Sequence, residues 1–308
     1  MQCAIVYSIY TIYDTTNLKI VVSRIKIAEP DILTHFEEYP IKVFKLTEIQ
    51  ELIDINRRVW RLAKSTTGAQ FLNYFIKRGK IKEIIAEGTY GTYKRYIFGE
   101  ASPLQTALSF KGSSFLTHYT AVYLHGLTAQ IPKTIYVNSE QTPKPKPKEP
   151  LNQENINRAF ARPPRVTTNE TTFEGKKVVF ISGKYTGSLG VTTVIFEGEE
   201  LLTTDTERTL LDIAVRPVYS GGVNEVLKAY RNAGKNFSLN RLLSYLKKID
   251  YTYPYHQVIG YYLERSGYPK NITELFKEMG LEFDFYLAHG IKKKKYIEDW
   301  RLFVPEGF

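Results

Sequence analysis

The chain has 308 residues, of which 43% are hydrophobic and 14% aromatic, and this composition excludes an intrinsically disordered chain. Its single cysteine, Cys3, excludes a disulfide framework and any zinc cluster built on cysteine pairs. No uninterrupted apolar window of about 18 residues offers a membrane span. The apolar start, residues 1–14, has no basic region before it. We therefore interpret it as a strand rather than a signal peptide and expect a cytoplasmic protein.

The positive charge is concentrated in one part of the chain. The sequence carries 42 Lys+Arg against 32 Asp+Glu, and residues 41–98 hold 12 of the basic residues and only 5 acidic ones. Between Asp54 and Glu83 every charged residue is basic. Such a field favours polyanions, either nucleic acid or an anionic membrane surface. A solvated basic face is the alternative, so the local pattern must decide.

Two predicted helices lie within this basic region. Residues 47–50 and 67–70 each have the spacing of a capping box, in which the first and fourth residues exchange hydrogen bonds. Apolar residues at steps of three and four predict a first helix from Ile49 to Leu62, which residues 54–56 could interrupt. The second helix is predicted to end near Arg78, because Gly79 accepts the left-handed cap conformation.

The second helix is predicted to have two contrasting faces. One is an apolar stripe formed by Phe71, Leu72, Phe75 and Ile76. The other is a polar face formed by Gln70, Asn73, Tyr74 and Lys77. Amide side chains bind adenine edges, and Lys or Arg binds guanine or phosphate. This helix contains no acidic residue, which favours a DNA-recognition helix over an ordinary solvated one.

Two predicted strands follow, joined by a turn at Gly88, with a basic tip expected on the second. Helix, helix and ribbon is the order of a winged helix–turn–helix, whose second helix enters the major groove while the wing contacts the DNA backbone. A small α+β subdomain with incidental basicity is the alternative. The candidate DNA contacts lie in or beside the helix and the wing: Thr66, Thr67, Gln70, Asn73, Tyr74, Lys77, Arg78, Lys80, Lys82, Lys94 and Arg95.

The remainder of the chain predicts a larger mixed domain, so the expected fold class is α+β. We expect an N-terminal extension of strands over residues 1–40, a winged helix over 41–98 and an effector domain over 99–308. Alternating proline and lysine predict an exposed loop at 142–150. Residues 204–207 form a third capping box, in which Glu207 completes the cap while Arg208 pairs with Asp212 at i+4. This favours a structural role for the three over an active-site role.

Three other features invite a chemical interpretation. His118 and His125 are seven residues apart on a predicted helix, but no carboxylate stands at ligand spacing, so a structural pair is favoured over a metal pair. Glu174-Gly175-Lys176 is a short motif of metal-dependent nucleases, without the upstream aspartate that such hydrolysis needs. The run Lys292–Lys295 could be solvated, contact phosphate, or face an acidic or RNA-bound partner.

Several stretches together resemble a known family. Arg78-Gly79 followed by Gly88-Thr89-Tyr90 is similar to the end of that family's recognition helix and its wing. Residues 117–128 with 131–137, and residues 206–212 with 221–223, are similar to its later signatures. Over about residues 41–308 the chain resembles the AbiEi-type antitoxins of bacterial and archaeal type IV toxin–antitoxin systems.

The resemblance implies a non-enzymatic repressor and antitoxin without a cofactor. Its winged helix would bind double-stranded DNA at its own promoter, as paired copies on inverted repeats. Its C-terminal domain would counter a nucleotidyltransferase-type toxin, with or without direct binding, in phage defence by abortive infection. Two other hypotheses remain: a DNA-targeted nuclease-like or modification-associated enzyme, and a ligand-sensing regulator without a toxin.

Overall fold

The computed structural model describes residues 23–145 and 149–308. The expected strand over residues 1–14 lies outside the described residues. Within them the chain is an α+β protein with eleven α-helices and twelve strands. The helices are α1 (Arg24–Glu38), α2 (Leu46–Asn56), α3 (Gly68–Lys77), α4 (Pro103–Ser109), α5 (His118–Leu124), α6 (Gln153–Phe160), α7 (Thr206–Val215), α8 (Val223–Ala233), α9 (Leu239–Ile249), α10 (Tyr255–Arg265) and α11 (Lys270–Lys277).

The strands form two sheets. The larger has nine strands in the order β1-β3-β2-β6-β7-β5-β4-β9-β8, and the smaller has three in the order β10-β12-β11. The strands are β1 (Val43–Phe44), β2 (Ile81–Gly88), β3 (Gly91–Phe98), β4 (Ser114–Leu116), β5 (Thr134–Glu140), β6 (Glu170–Phe173), β7 (Lys176–Gly183), β8 (Val191–Phe196), β9 (Glu199–Thr204), β10 (Phe285–Tyr286), β11 (Lys294–Ile297) and β12 (Leu302–Pro305).

Residues 24–38 form helix α1, so the expectation of strands over residues 1–40 is wrong for this segment. Its buried side chains are Ile25, Ala28, Ile32 and Phe36. These are spaced three and four residues apart, which is the period of a helix and not of a strand. Phe36 stacks on Phe98 with ring centroids 3.6 Å apart. Helix α1 therefore shares one core with α2, α3 and β3, although the expected boundary at residue 41 separated it from them.

Helix α2 starts earlier and ends sooner than its pattern predicts. Its N-cap is Lys45, whose backbone amide donates to Glu48 Oε2 at 2.8 Å, so the predicted cap at residue 47 is wrong. The helix ends at Asn56, within the segment expected to interrupt it. Ile55 and Val59 are exposed, and the core instead receives Trp60 and Leu62 from the following loop. The predicted apolar face is therefore buried at its two ends, Ile49 and Leu62, and exposed at Ile55 and Val59 between them.

The β2–β3 hairpin connects the N-terminal helices to the rest of the molecule. Its strands pair from Ile81 with Phe98 to Gly88 with Gly91, and Gly88 also pairs with Thr171 of β6. Tyr93 of β3 lies against the ring of Phe110, with the centroids 5.1 Å apart. The expected boundary at residue 99 therefore separates elements that share a sheet and a core.

The C-terminal half has a hydrophobic core of its own, formed by helices α5 to α11 and the three-stranded sheet. Trp300 is fully buried in this core. It lies so close to Gly260 of α10 that a Cβ there would be 2.2 Å from the indole ring, so only glycine fits. In the expected loop at 142–150, residues 142–145 and 149–150 are exposed, and residues 146–148 lie outside the described chain.

Candidate nucleic-acid interface

Helix α3 has the ends that its sequence predicts. The Thr67 hydroxyl accepts the Gln70 backbone amide at 3.2 Å, and the Gln70 side-chain oxygen accepts the Thr67 amide at 3.1 Å. The helix ends at Lys77, and Gly79 has φ +67°. The backbone amides of Thr67 and Gln70 are thus satisfied by a reciprocal capping box, and glycine terminates the helix without strain.

The apolar stripe of α3 holds the helix against the N-terminal core. Phe71 and Phe75 are fully buried and Leu72 nearly so. The Phe71 ring stacks against Trp60 at 6.2 Å and contacts Phe98 at 6.3 Å between centroids. Since large aromatic rings fix the rotation of the helix about its axis, the opposite side of α3 must face outward.

The polar face of α3 borders a shallow cavity. Gln70, Asn73 and Lys77 are exposed, and Tyr74 is half-buried. The cavity has a volume of about 520 Å³, and Ser23 and Arg24 line it from the start of α1. Gln70 already uses its side-chain oxygen in the helix cap. Asn73 and Lys77 are therefore the side chains of this face best placed to meet a ligand.

Tyr74 and Arg78 are held in place by Glu29 of α1, which the sequence analysis did not single out. The Tyr74 hydroxyl donates to Glu29 Oε2 at 2.8 Å, and Arg78 Nε lies 3.3 Å from the same oxygen. The Arg78 guanidinium also lies 4.2 Å from the centre of the Tyr74 ring, a cation–π contact. Burial and the bond to Glu29 raise the pKa of Tyr74. The Glu29 carboxylate partly neutralises the positive charge of Arg78.

Arg95 was expected at an exposed basic tip, and this is wrong. Its side chain is buried, and its guanidinium donates to the Ser109 carbonyl at 3.0 and 2.6 Å. Burial lowers the pKa of Arg95. Arg95 pairs with Ile84 in mid-strand, while the tip of the hairpin is at Gly88–Gly91. In this position Arg95 joins the hairpin to the last residue of α4 and is not available to a phosphate.

Three other candidate contacts are also engaged within the protein. Thr66 is buried, and its carbonyl accepts the Arg57 guanidinium at 3.2 Å. Lys94 Nζ lies 2.7 Å from Glu83 on the neighbouring strand, and Lys82 pairs with Glu174. Both lysines are exposed, and exposed pairs of this kind contribute about 0–1 kcal/mol. The two lysines can exchange these partners for phosphate, whereas Thr66 cannot.

Five exposed cations lie in or near α3: Arg58, Arg61, Lys64, Lys77 and Lys80. None of the five forms an ion pair with any residue in the described part of the chain. Arg57 is not a member of this set, because it donates to the Ala63 carbonyl at 2.6 Å and closes the α2–α3 loop. The charge of the five cations is therefore available to an external anion.

The second-domain signature is buried and fully bonded. Arg208 Nε lies 2.8 Å from Asp212 Oδ1, which confirms the predicted i+4 pair. The Arg208 guanidinium also donates to the Thr186 hydroxyl at 2.9 Å and to the Leu189 carbonyl at 2.6 Å. Asp212 accepts a long bond from the Thr117 hydroxyl at 3.4 Å. The pair thus connects α7 to α5 and to the β7–β8 loop.

The predicted cap of α7 is displaced by one residue. Asp205, not Thr204, is the N-cap, and its Oδ1 accepts the Arg208 amide at 2.8 Å. Glu207 does not complete this cap; its Oε1 accepts the Ser238 amide at 2.6 Å, at the start of α9. Aspartate is among the preferred N-cap residues, because its carboxylate accepts the free amides at the start of the helix. Glu207 therefore connects two helices.

The histidine pair and the nuclease-like motif each have separate structural partners. The His118 ring lies 3.0 Å from the Thr117 hydroxyl, and His125 Nε2 lies 2.6 Å from the Thr204 carbonyl. Burial lowers the pKa of His118 to about 4. Glu174 is in the β6–β7 turn with φ +46°. No group of three His, Cys, Asp or Glu residues in residues 23–145 and 149–308 has the arrangement of a metal site.

No helix among the described residues is both long and apolar enough to cross a membrane. No protein-family model matches the sequence, and no curated protein matches it. The fold is similar to the crystal structure of the RV2827C protein from Mycobacterium tuberculosis, with a TM-score of 0.54 and 14% sequence identity. The match covers 90% of this chain and 91% of that one. At this identity the likeness concerns the fold alone.

Proposed function

We propose that residues 24–98 form a winged helix–turn–helix that binds duplex DNA, with α3 as the recognition helix. The element order α1-β1-α2-α3-β2-β3, with β1 paired to β3, supports this proposal. A recognition helix enters the major groove and presents its polar side chains to base edges. The observation that carries the proposal is the exposed Asn73 and Lys77 on a helix whose other side is fixed by buried aromatics.

The interface of this proposal differs from the one expected from sequence. Arg95 is removed from the expected phosphate contacts, Lys80 is retained, and the exposed cations Arg58, Arg61 and Lys64 are added. The loop between α2 and α3 spans residues 57–67, longer than the turn of three or four residues in a simple helix–turn–helix. The hairpin tip pairs with β6, so the wing is part of the nine-stranded sheet and not a separate ribbon.

We further propose that the protein is a cytoplasmic repressor and antitoxin of the AbiEi type, not an enzyme. It would repress its own operon, as paired copies on inverted repeats. Its C-terminal part would counter a nucleotidyltransferase-type toxin. Support comes from the matching stretches at 78–90, 117–137 and 206–223. The residues that look catalytic in the last stretch, Arg208 and Asp212, are used in a buried ion pair, which favours a binding role over chemistry.

The test uses the full-length protein, because the hairpin contributes to both cores and a fragment would expose one of them. Asn73→Ala with Lys77→Ala should abolish binding to the promoter in a gel-shift assay and derepress a reporter. The same variant should still protect cells that co-express the proposed nucleotidyltransferase-type toxin. A matched control, Lys235→Ala with Lys270→Ala, changes two exposed residues that are far from α3 in sequence. If the α3 variant represses normally, the DNA-binding proposal is wrong; if wild type gives no protection, the antitoxin proposal is wrong.

A further inference from the structure

A large basic cleft lies in the C-terminal half, far along the sequence from α3. Its volume is about 1480 Å³. Five segments line it: α6 with the loop after it, the stretch from the end of α7 to the start of α8, the residues at the start of α10, the loop before β11, and the end of β12. Its basic residues are Arg158, Arg162, Arg165, Arg216, Lys292 and Lys293. Among the lining residues only Glu306 is acidic.

The charge of the basic cleft is not neutralised within the described chain. All six basic side chains are exposed. None of them forms an ion pair with a described residue. Of the six side chains, only that of Arg158 donates a hydrogen bond within the described chain, to Asn155 at 2.6 Å. A cleft lined by one sign of charge focuses the electrostatic field and concentrates counter-ions. The observed cations therefore favour a ligand with several negative charges.

The walls between these cations are apolar and aromatic. Tyr253, Tyr255 and His289 line the cleft, together with Pro163 and Pro164. The His289 ring stacks on Phe160 with the centroids 4.0 Å apart and the planes 12° apart. Burial lowers the pKa of His289, so its ring is a neutral aromatic surface near pH 7. Base stacking on aromatic rings, next to a cationic groove, is how proteins bind single-stranded nucleic acid.

The two walls of the basic cleft are fixed relative to each other. The Gly290 amide donates to the Phe160 carbonyl at 2.8 Å, which ties the loop before β11 to the end of α6. Gly290 has φ +68°, and a Cβ there would lie 3.5 Å from the backbone of Pro163. Lys292 and Lys293 follow directly on this tether. Their backbone is therefore positioned before any ligand arrives.

The space extends beyond one small molecule. A second cavity, of about 790 Å³, shares Arg216, Tyr253 and Tyr255 with the first. It adds Lys144 and Lys248 but also the carboxylates of Glu149, Asp212 and Asp250, so the predominantly basic lining is confined to the first cavity. Small-molecule sites usually occupy about 300–1000 Å³ and enclose most of the ligand. The basic cleft exceeds this range on its own, which favours an extended ligand over one small molecule.

We propose that the basic cleft binds a single-stranded polynucleotide, with its phosphates on the arginines and lysines and its bases against Tyr253 and His289. This activity is separate from duplex binding by α3 and does not depend on it. The run Lys292–Lys295 is thereby divided. Its first two residues line the cleft, while Lys294 lies over the Tyr286 and Phe303 rings and Lys295 is on the exposed part of β11.

The test is fluorescence anisotropy with labelled oligo-uridine RNA, oligo-thymidine DNA and a random-sequence duplex. Arg162→Ala with Lys292→Ala should weaken single-strand binding about 10-fold and reduce the salt slope by about 1.4, since each lost phosphate contact contributes about 0.7. The control Lys235→Ala with Lys270→Ala removes the same charge elsewhere and should bind like wild type. Thermal melts of both variants should match the wild-type melt, because all four side chains are exposed.

Preference between RNA and DNA identifies which strand the cleft takes, and either one supports the proposal. The proposal is overturned if the cleft variant binds single strands as well as the control. It is also overturned if poly-glutamate displaces the RNA as efficiently as unlabelled RNA does, because the cleft would then accept acidic polypeptides. The α3 variant Asn73→Ala with Lys77→Ala should retain single-strand binding. Failure of the cleft and failure of the proposed DNA interface are therefore separately visible.

Discussion

The charged side chain of α3 is exposed to solvent, whereas the charged side chains of α7 are buried. On α3, Lys77 is exposed and unpaired within the described chain. On α7, Arg208 and Asp212 are buried and bonded to each other and to neighbouring loops. A charge at the surface can be transferred to a ligand at small cost, whereas a buried charge is committed to its partner. Substitutions on α7 should therefore change stability, and those on α3 should change binding.

The largest effect is expected at Arg208. Arg208→Ala leaves the buried Asp212 carboxylate without its partner, and this should lower the free energy of unfolding by about 3–5 kcal/mol. Lys77→Ala should change it by less than about 0.5 kcal/mol. Urea unfolding followed by circular dichroism measures both. Equal effects of the two substitutions would remove the contrast between the regions.

The next effect is a pH dependence that arises at His118, beside the α7 pair. Burial holds the pKa of His118 at about 4 in the folded protein, against about 6.5 in an unfolded chain. Because the unfolded chain then takes up the proton more readily, the free energy of unfolding should fall as pH drops from about 6.5 towards 4, by about 3 kcal/mol in total.

The test of this pH dependence is the variant His118→Asn. Asparagine tolerates the positive φ of +50° at this position and does not titrate. Urea unfolding at a series of pH values should give a smaller slope between pH 6.5 and 4 for the variant than for wild type. Parallel curves for the two proteins would show that His118 titrates normally in the fold.

A smaller and more specific effect is expected at Asn73. Asn73→Ala should reduce discrimination at one base pair of the bound DNA by about 1–3 kcal/mol and leave the melting curve of the protein unchanged. Binding to a panel of single-base variants of the promoter measures this. Lys80→Ala is the matched comparison, because loss of a phosphate contact weakens all sequences alike. Uniform weakening by Asn73→Ala would place Asn73 against the DNA backbone.

The parts of the fold that the sequence predicted are those decided by neighbouring residues. Helix α3 follows from its capping box, its apolar period and Gly79, all within 67–79. The spacing of apolar residues from Ile25 to Phe36 also indicates a helix, so α1 could have been predicted from its sequence, although strands were predicted there. The Arg208–Asp212 pair likewise depends only on helical spacing.

The parts that were missed depend on contacts between distant segments. Arg95 is buried because Ser109, the last residue of α4, offers a carbonyl, and no local pattern distinguishes Arg95 from its exposed neighbour Lys94. Glu29 meets Tyr74 only when α1 and α3 pack together. The basic cleft combines residues from 158–165, 216 and 292–293. Its charge is dispersed along the chain and becomes concentrated only in the folded protein.

The central claim, that the surface around α3 is a DNA interface, is tested most directly by a salt titration. Affinity for a labelled promoter duplex should be measured from low to physiological salt, with wild type and with Asn73→Ala/Lys77→Ala. If each protomer neutralises about three to five phosphates, paired protomers should give a slope of about −5 to −9 in log K against log salt, and the variant a shallower one. A flat response, or a variant that titrates like wild type, would contradict the assignment.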